Sequence, residues 1–185
     1  MTQVLRRPPA FTYRDYALVP EDVKRWELME GDLFVSPSPS PRHQRISRRL
    51  QFWLMKLLEE PGLAEIFDAP IDVIFDDETV VQPDLVVLGA DRAHIVTARG
   101  LEGVPNVVVE ILSPTSGDRD HHLKRRIYER FGVPEYWVVD PDHGFVTAWR
   151  LEDGRYQLRA RFDRSSTLSC PDFPAVNFPL LDVFR

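Results

Sequence analysis

A strand, a helix and a second strand in close succession constrain this chain more than any other feature. NVVVEILS (106–113) is nearly continuous in Val, Ile and Leu, Asp118 to Phe131 reads as a helix, and EYWVVD (135–140) is apolar again. Runs that stay apolar at successive positions, rather than alternating, belong to strands covered on both faces. A helix joining two strands of one sheet forms a crossover, so those strands pair in parallel. Gly132, with Pro134 just beyond, gives the helix a sound C-terminal stop.

The remaining segments build outward from that unit. RHQRISRRLQFWLMKLLEE (42–60) sets Ile46, Leu50, Trp53, Leu54 and Leu57 at helical spacing and ends at Pro61-Gly62. IDVIF (71–75) and VVQPDLVVL (80–88) read as strands. A short helix near 12–19 precedes a hairpin of WELME and LFV about Gly31-Asp32. FVTAWRLED and RYQLRARF form a terminal hairpin about Asp153-Gly154, and the Pro-rich tail reads as packed along the surface. SPSPSP (36–41) favours an extended loop, either a spacer or the mouth of a site. The expectation is one α/β domain over residues 1–185 with a mixed central sheet. Its core order is helix, three strands, helix, strand, with strands added at both ends.

Composition excludes several classes. With 185 residues, 43% apolar and 28% charged, the chain can bury a core without staples and is not wholesale disordered. The single cysteine, Cys170, rules out a disulfide framework and a cysteine-based zinc site. No apolar stretch approaches the ~20 residues of a membrane span, and no apolar signal core follows Arg6-Arg7. A cytoplasmic protein with no membrane partner is expected. The 23 basic and 29 acidic residues leave a net charge of −6, which argues against unspecific adhesion to nucleic acid. It does not argue against holding nucleic acid locally during chemistry. Only Lys24, Lys56 and Lys124 are lysines, so Arg is the default cation here.

Against this background two carboxylates stand out, because an isolated charge in a buried strand is costly. Asp84 follows Pro83 where a strand begins, and Glu110 sits within NVVVEILS. Brought together from neighbouring strands they repel unless a cation lies between them, and an all-oxygen site suits Mg²⁺ or Mn²⁺ rather than zinc. Pro-Asp alone is weak, since it recurs at Pro141-Asp142 and Pro171-Asp172 as a turn, and Glu110 has an arginine partner as its alternative. Asp120, Lys124 and Tyr128 follow at steps of four, forming one helical row beside Leu123, Ile127 and Phe131. That row makes Lys124 either half of a surface pair with Asp120 or a lysine aimed at the carboxylates. His43 faces inward at the start of its helix, as a core-edge histidine or a contact to substrate or water. His121 and His122 are adjacent and point about 100° apart on a helix, so they cannot chelate one ion together. No P-loop, dinucleotide fingerprint, nucleophile elbow or H-E-x-x-H is present.

These features together resemble the PD-(D/E)XK nuclease superfamily, and more closely the bacterial restriction-endonuclease family of the Uma-two type. The matching stretches are WELMEGDL (26–33), SPSPRHQRI (38–46), VVQPDLVVL (80–88), VPNVVVEILSPTS (104–116), DHHLKRRIYERFGVPEYWVVDP (120–141) and the tail. The resemblance implies a restriction-endonuclease-like core and a metal-dependent endonuclease that hydrolyses DNA. It implies that Asp84 and Glu110, with the carbonyl of Ile111, hold Mg²⁺ or Mn²⁺. The lysine usual two positions after the Glu is here Leu112, and the resemblance places its counterpart at Lys124 on the following helix. It implies auxiliary roles for Glu27, His43, Gln82, Asp120 and Tyr128, and contacts to the DNA backbone from Arg42, Arg45, Arg49, Arg119 and Arg125. Nucleases of this general type often act as dimers, and the apolar tail offers surface for a homo-oligomer, dimer or higher. The rival class is a non-catalytic DNA-binding or assembly module that keeps the fold.

Overall fold

A computed structural model describes residues 3–5, 10–19, 25–36, 38–113 and 118–185, with the side chains of 3–5 and 118–120 outside the described set. The chain opens with β1 (Gln3–Leu5), α1 (Tyr13–Tyr16), β2 (Arg25–Met29), β3 (Asp32–Ser36) and α2 (Pro41–Leu54). It continues through a π-helical turn (Met55–Glu59), β4 (Ala64–Asp68), β5 (Val73–Asp76), β6 (Thr79–Val81), β7 (Leu85–Gly89) and a 3₁₀ turn (Ala90–Ile95). Next come β8 (Val96–Thr97), β9 (Gly100–Glu102), β10 (Val107–Ile111), α3 (Asp118–Phe131) and β11 (Glu135–Asp140). It closes with β12 (Phe145–Glu152), β13 (Arg155–Asp163), β14 (Thr167–Ser169), β15 (Asn177–Pro179) and α4 (Leu181–Phe184).

The central sheet runs β13-β12-β11-β10-β7-β4. β10 and β11 are parallel, joined by α3 as the crossover requires, with Glu110 opposite Val138. The other pairs of this sheet are antiparallel. Its two faces alternate by residue. Leu85, Val87, Val107, Val109 and Trp137 pack against Ile46, Leu50, Leu54 and Leu58 of the α2 segment. The intervening Val86, Leu88, Val108 and Tyr136 pack against Ile127 and Tyr128 of α3 and against Met29, Val73, Val81 and Leu101 of a second sheet. That second sheet has the order β1-β3-β2-β6-β5-β9-β8 and includes one parallel pair, β5 with β9. Glu110 shares the face of Val108, so strand alternation alone turns it toward α3.

Local chemistry sets the element ends. Ser40 caps α2 by accepting from the backbone N–H of His43 at 3.2 Å, and Pro41 occupies the first turn where no N–H is needed. α3 ends in a Schellman arrangement, with Val133 N–H donating to the Tyr128 carbonyl at 2.9 Å and Gly132 N–H to Glu129 at 3.2 Å. Both hairpins turn through paired positive-φ residues, Glu30-Gly31 (51° and 77°) and Asp153-Gly154 (49° and 74°). The first turn therefore falls one residue earlier than the sequence pattern suggested.

Three expectations need correction. VVQPDLVVL is not one strand. β6 belongs to the second sheet and β7 to the central one, and Pro83-Asp84 is the corner between them. Pro83 has no N–H to donate, so the ladder breaks there. The first of the three central strands is β4, whereas IDVIF supplies β5 of the other sheet. The tail is core rather than surface packing: Leu168, Cys170, Val176, Phe178, Leu180 and Val183 are buried against α2 and the central sheet. Those apolar groups are already covered within the chain, so they supply no surface to a second copy. Among the described residues no helix is long and apolar enough to cross a membrane.

Phe178 tests the tail directly, being 1% exposed and stacked on Trp53 with ring centroids 5.4 Å apart. Phe178→Ala should lower unfolding free energy in urea by about 3–5 kcal/mol. A loss below about 1 kcal/mol would return the tail to the surface.

Candidate active site

The corner at Pro83-Asp84, the end of β10, the start of α2 and the middle of α3 meet at a recess of about 50 Å³. Arg25, His43, Asp84, Glu110, Ile111 and Lys124 are among the residues lining it. Asp84 and Glu110, separated by 26 residues of sequence, are only 5% and 4% exposed. Burial of two like charges in one small space demands compensation, and the surrounding groups provide it.

Asp84 accepts from the backbone N–H of Ile111 at 2.8 Å, meets His43 Nε2 at 3.0 Å and receives Arg25 at 3.2 Å. Burial by itself would raise its pKa. The hydrogen bond and charge of His43, the charge of Arg25 and the Ile111 N–H outweigh burial and hold the carboxyl at about 2. Arg25 also donates to the Gln82 carbonyl, pinning the corner from the side of β2. His43 is buried at the third helical position after the Ser40 cap, and its Nδ1 has no hydrogen-bond partner among the described residues.

Lys124 is the centre of the other half. Its ammonium lies 2.9 Å from Glu27 Oε1 and donates to both Glu110 oxygens at 3.0 and 3.2 Å. Tyr128 donates to Glu110 Oε1 at 2.6 Å. Glu27 is further held by the Gln82 N–H at 2.8 Å and the Ser36 hydroxyl at 3.1 Å. Burial would strip the proton from Lys124, but Glu110 and Glu27 more than offset this and raise its pKa above the ordinary lysine value. Glu110 titrates high because of burial, with Asp84 and Glu27 adding repulsion, while Lys124 and Tyr128 pull it back incompletely. Glu27, with the same lysine, Arg25 and Gln82 around it, is lowered despite its burial.

The residues singled out from sequence fall into distinct places. Asp84, Glu110, Ile111, Lys124 and His43 line the recess. Glu27, Gln82 and Tyr128 stand behind it as supports; Gln82 also donates from its amide to Asp72 at 2.8 Å and to the Tyr16 hydroxyl at 3.2 Å. The amine of Lys124 is held by Glu27, and Tyr128 instead holds Glu110. The side chains of Arg119 and Asp120 lie outside the described residues.

Four helix arginines point elsewhere. Arg42 pairs with Asp142 at 3.1 Å, Arg45 donates to the Pro41 carbonyl at 3.3 Å, and Arg49 donates to the Val183 carbonyl at 3.1 Å and to that of Arg185. Arg125 stacks on Trp149 with its guanidinium 3.6 Å from the ring centroid. Among the described residues, the arginine at the carboxylates is Arg25, which sequence reasoning missed. Its signal was present, two residues before Glu27 on the same face of β2, but only the pairing of β2 with β6 brings that face to the corner. Pro39 also lines the recess, so the SPSPSP loop forms part of its mouth.

A mixed sheet with a parallel crossover, with paired carboxylates at the strand ends and a lysine on the crossover helix beside them, has the restriction-endonuclease-like architecture. Residues 12–183 match the Uma2 family, described as "Putative restriction endonuclease", and the chain belongs to that family. Among solved structures, the crystal structure of "a putative nuclease" from Anabaena variabilis shares the fold, with a TM-score of 0.79 and 21% identity. The match covers 94% of this chain and 97% of that one. No curated protein matches the chain.

The partners of Asp84 give a pH test. A carboxyl whose folded pKa lies below its unfolded value stabilises the fold above the unfolded value and loses that contribution as pH falls through the folded one. With Asp84 at about 2 against 3.8, the window is roughly pH 4 to 2 and the contribution about 2 kcal/mol. In urea unfolding the wild type should lose about 2 kcal/mol more than Asp84→Asn between pH 5 and pH 2. Parallel pH profiles would show that His43 and Arg25 do not hold the carboxylate.

Proposed function

We propose that the chain is a divalent-metal-dependent endonuclease that hydrolyses phosphodiester bonds of DNA in the recess between β10 and α3. The observation that carries this reading is a surplus of buried negative charge. Among the described residues, Glu27, Asp84 and Glu110 face two permanent cations, Arg25 and Lys124, and His43 adds a third only when it is protonated. Burial, with repulsion from Asp84 and Glu27 added to it, pushes the Glu110 carboxyl upward. A cation at the recess offsets the surplus.

The donor set fits Mg²⁺ or Mn²⁺. Asp84 and Glu110 offer hard carboxylate oxygens on one recess, and Ile111, whose carbonyl the family resemblance adds to the set, lines the same recess. Among the described residues no group of three His, Cys, Asp or Glu is assembled to hold an ion. The pair Asp84 and Glu110 suits Mg²⁺, which keeps several waters and takes one or two carboxylates. When bound, the ion supplies polarisation of the phosphodiester and a water of lowered pKa.

The residues around it have separable tasks. Lys124, held protonated by Glu27 and Glu110, orients a water or offsets phosphate charge and does not serve as the base. Glu27 fixes that amine, and Tyr128 fixes Glu110 from behind. His43 and the Ile111 N–H hold Asp84 in one rotamer. Arg25 supplies a second positive charge at the point where a phosphate must enter. A cytoplasmic setting accords with a chain whose lone cysteine is buried and free.

One observation favours a second reading. Both Glu110 oxygens already accept from Lys124, so the carboxylate is satisfied without an ion, as a non-catalytic DNA-binding module would need. Two measurements separate these. Calorimetry with Mn²⁺ should show binding to the wild type and none to Asp84→Ala/Glu110→Ala. Supercoiled DNA should be cut in Mg²⁺ and spared in EDTA, with both single alanine variants inactive and Lys124→Ala slowed by about 10²-fold or more. Cleavage surviving both carboxylate substitutions refutes the site, and a wild type that binds no Mn²⁺ leaves the scaffold reading.

A further inference from the structure

Beside the recess a larger groove of about 460 Å³ runs along α2. The two spaces adjoin, with Arg25, Pro39, His43 and Asp84 lining both. One wall of the groove is formed by Gln44, Ser47, Arg48 and Gln51. These positions follow the steps i, i+3, i+4 and i+7, so they make one polar stripe on α2 beside its buried His43–Ile46–Leu50 face. Across the groove stand Asp68, Ala69 and Pro70, where the chain leaves β4.

We infer that this groove holds a single strand of DNA on one side of the bond to be cut, with Arg48 on a phosphate and Gln44 and Gln51 on sugar or base edges. The inference rests on the phosphodiesterase reading of the recess and adds a substrate-binding face to it. Four observations converge. First, Arg48 is the α2 arginine left free for a ligand. Arg42, Arg45 and Arg49 each donate to a protein oxygen, whereas Arg48 makes no ion pair or side-chain hydrogen bond among the described residues. Second, Gln44 and Gln51 likewise carry side-chain amides with no protein partner among those residues. An amide offers a donor and an acceptor together, the combination that reads a base edge.

Third, size separates the two spaces. The recess, at about 50 Å³, admits little beyond an ion, a water and phosphate oxygens, so the rest of a nucleotide must lie next door. A groove of about 460 Å³ is in the range of small-ligand sites, enough for a nucleotide or two and far too small for a duplex. Fourth, the groove is close to electrically balanced, with Arg25 and Arg48 against Asp68 and Asp84, and no Phe, Tyr or Trp lines it, while its one imidazole, His43, is tied to Asp84. Binding there depends on one or two phosphate contacts and on amide hydrogen bonds, without a stacking platform.

The test is fluorescence anisotropy of a 5′-labelled single-stranded DNA 12-mer and the same sequence as a blunt duplex. It uses the full chain in EDTA so that nothing is cut. The single strand should bind about tenfold more tightly than the duplex. Arg48→Ala should weaken single-strand binding about three- to tenfold at 50 mM salt and flatten the slope of log K against log salt by about 0.7. Gln44→Ala/Gln51→Ala should weaken binding while leaving that slope unchanged, and Arg42→Ala, outside the groove, should change neither. Arg48 is exposed, so its variant should keep the wild-type thermal midpoint. Equal affinity for duplex, or an Arg48→Ala variant with unaltered affinity and slope, overturns the groove assignment. Binding that depends on Arg48 in a protein that never cuts DNA in Mg²⁺ supports the groove and refutes catalysis. Cutting that ignores Arg48 does the reverse.

Discussion

The ammonium of Lys124 joins three parts of the chain that are far apart in sequence. At 2.9 Å from Glu27 and 3.0 Å from Glu110 it ties β2 of one sheet and β10 of the other to α3. All three side chains are almost fully buried, so each charge gives up hydration and regains it only from the others. Such a triad contributes little net stability but strongly penalises any arrangement that separates its members. It therefore fixes the approach of the two sheets at the recess, and with it the position of Glu110. A lysine suits this role in a chain that otherwise uses arginine. A compact ammonium fits between two carboxylates, where a planar guanidinium needs a broader, forked opening.

The second constraint is the break at Pro83-Asp84. A residue without an N–H cannot continue a ladder, so the chain leaves β6 and enters β7 in the other sheet. Backbone groups at a corner are free to be used by side chains, and here they are. Arg25 takes the Gln82 carbonyl, Glu27 takes the Gln82 N–H, and Asp84 reaches the Ile111 N–H across to β10. The same break that interrupts the sheet thus delivers a carboxylate to the end of its neighbour.

Where sequence reading succeeded, it relied on local regularities. The crossover of 106–140, the helix read over 42–60, whose last turn is π-helical from Met55 to Glu59, and the turn at Asp153-Gly154 follow from periodicity and turn chemistry. Where it failed, the deciding interactions were distant. AEIFD of β4 mixes charge with apolar residues because it is an edge strand, paired on one side only, so its pattern gave no alternation to read. The tail looked like a surface strap because its prolines break every period, yet Phe178 and Val183 fill space left between α2 and the central sheet. The basic stripe Arg42-Arg45-Arg49 suggested a backbone grip, but Asp142 and the C-terminal carbonyls take two of its three members.

The sequence by itself placed one carboxylate inside a buried strand and another at the start of one, and put Lys124 and Tyr128 in one helix row beside an apolar line. Burial makes such charges too costly to leave uncompensated, but the sequence left open whether arginines, a metal ion or Lys124 compensates them. Only the tertiary structure decided who meets whom. Strand alternation turned Glu110 toward α3, the pairing of β2 with β6 brought Arg25 and Glu27 to the corner, and Glu27 joined Glu110 as a partner of Lys124. Spacing along a chain fixes which face a side chain shares. What that face opposes is set by packing between segments whose separation in sequence carries no geometric information.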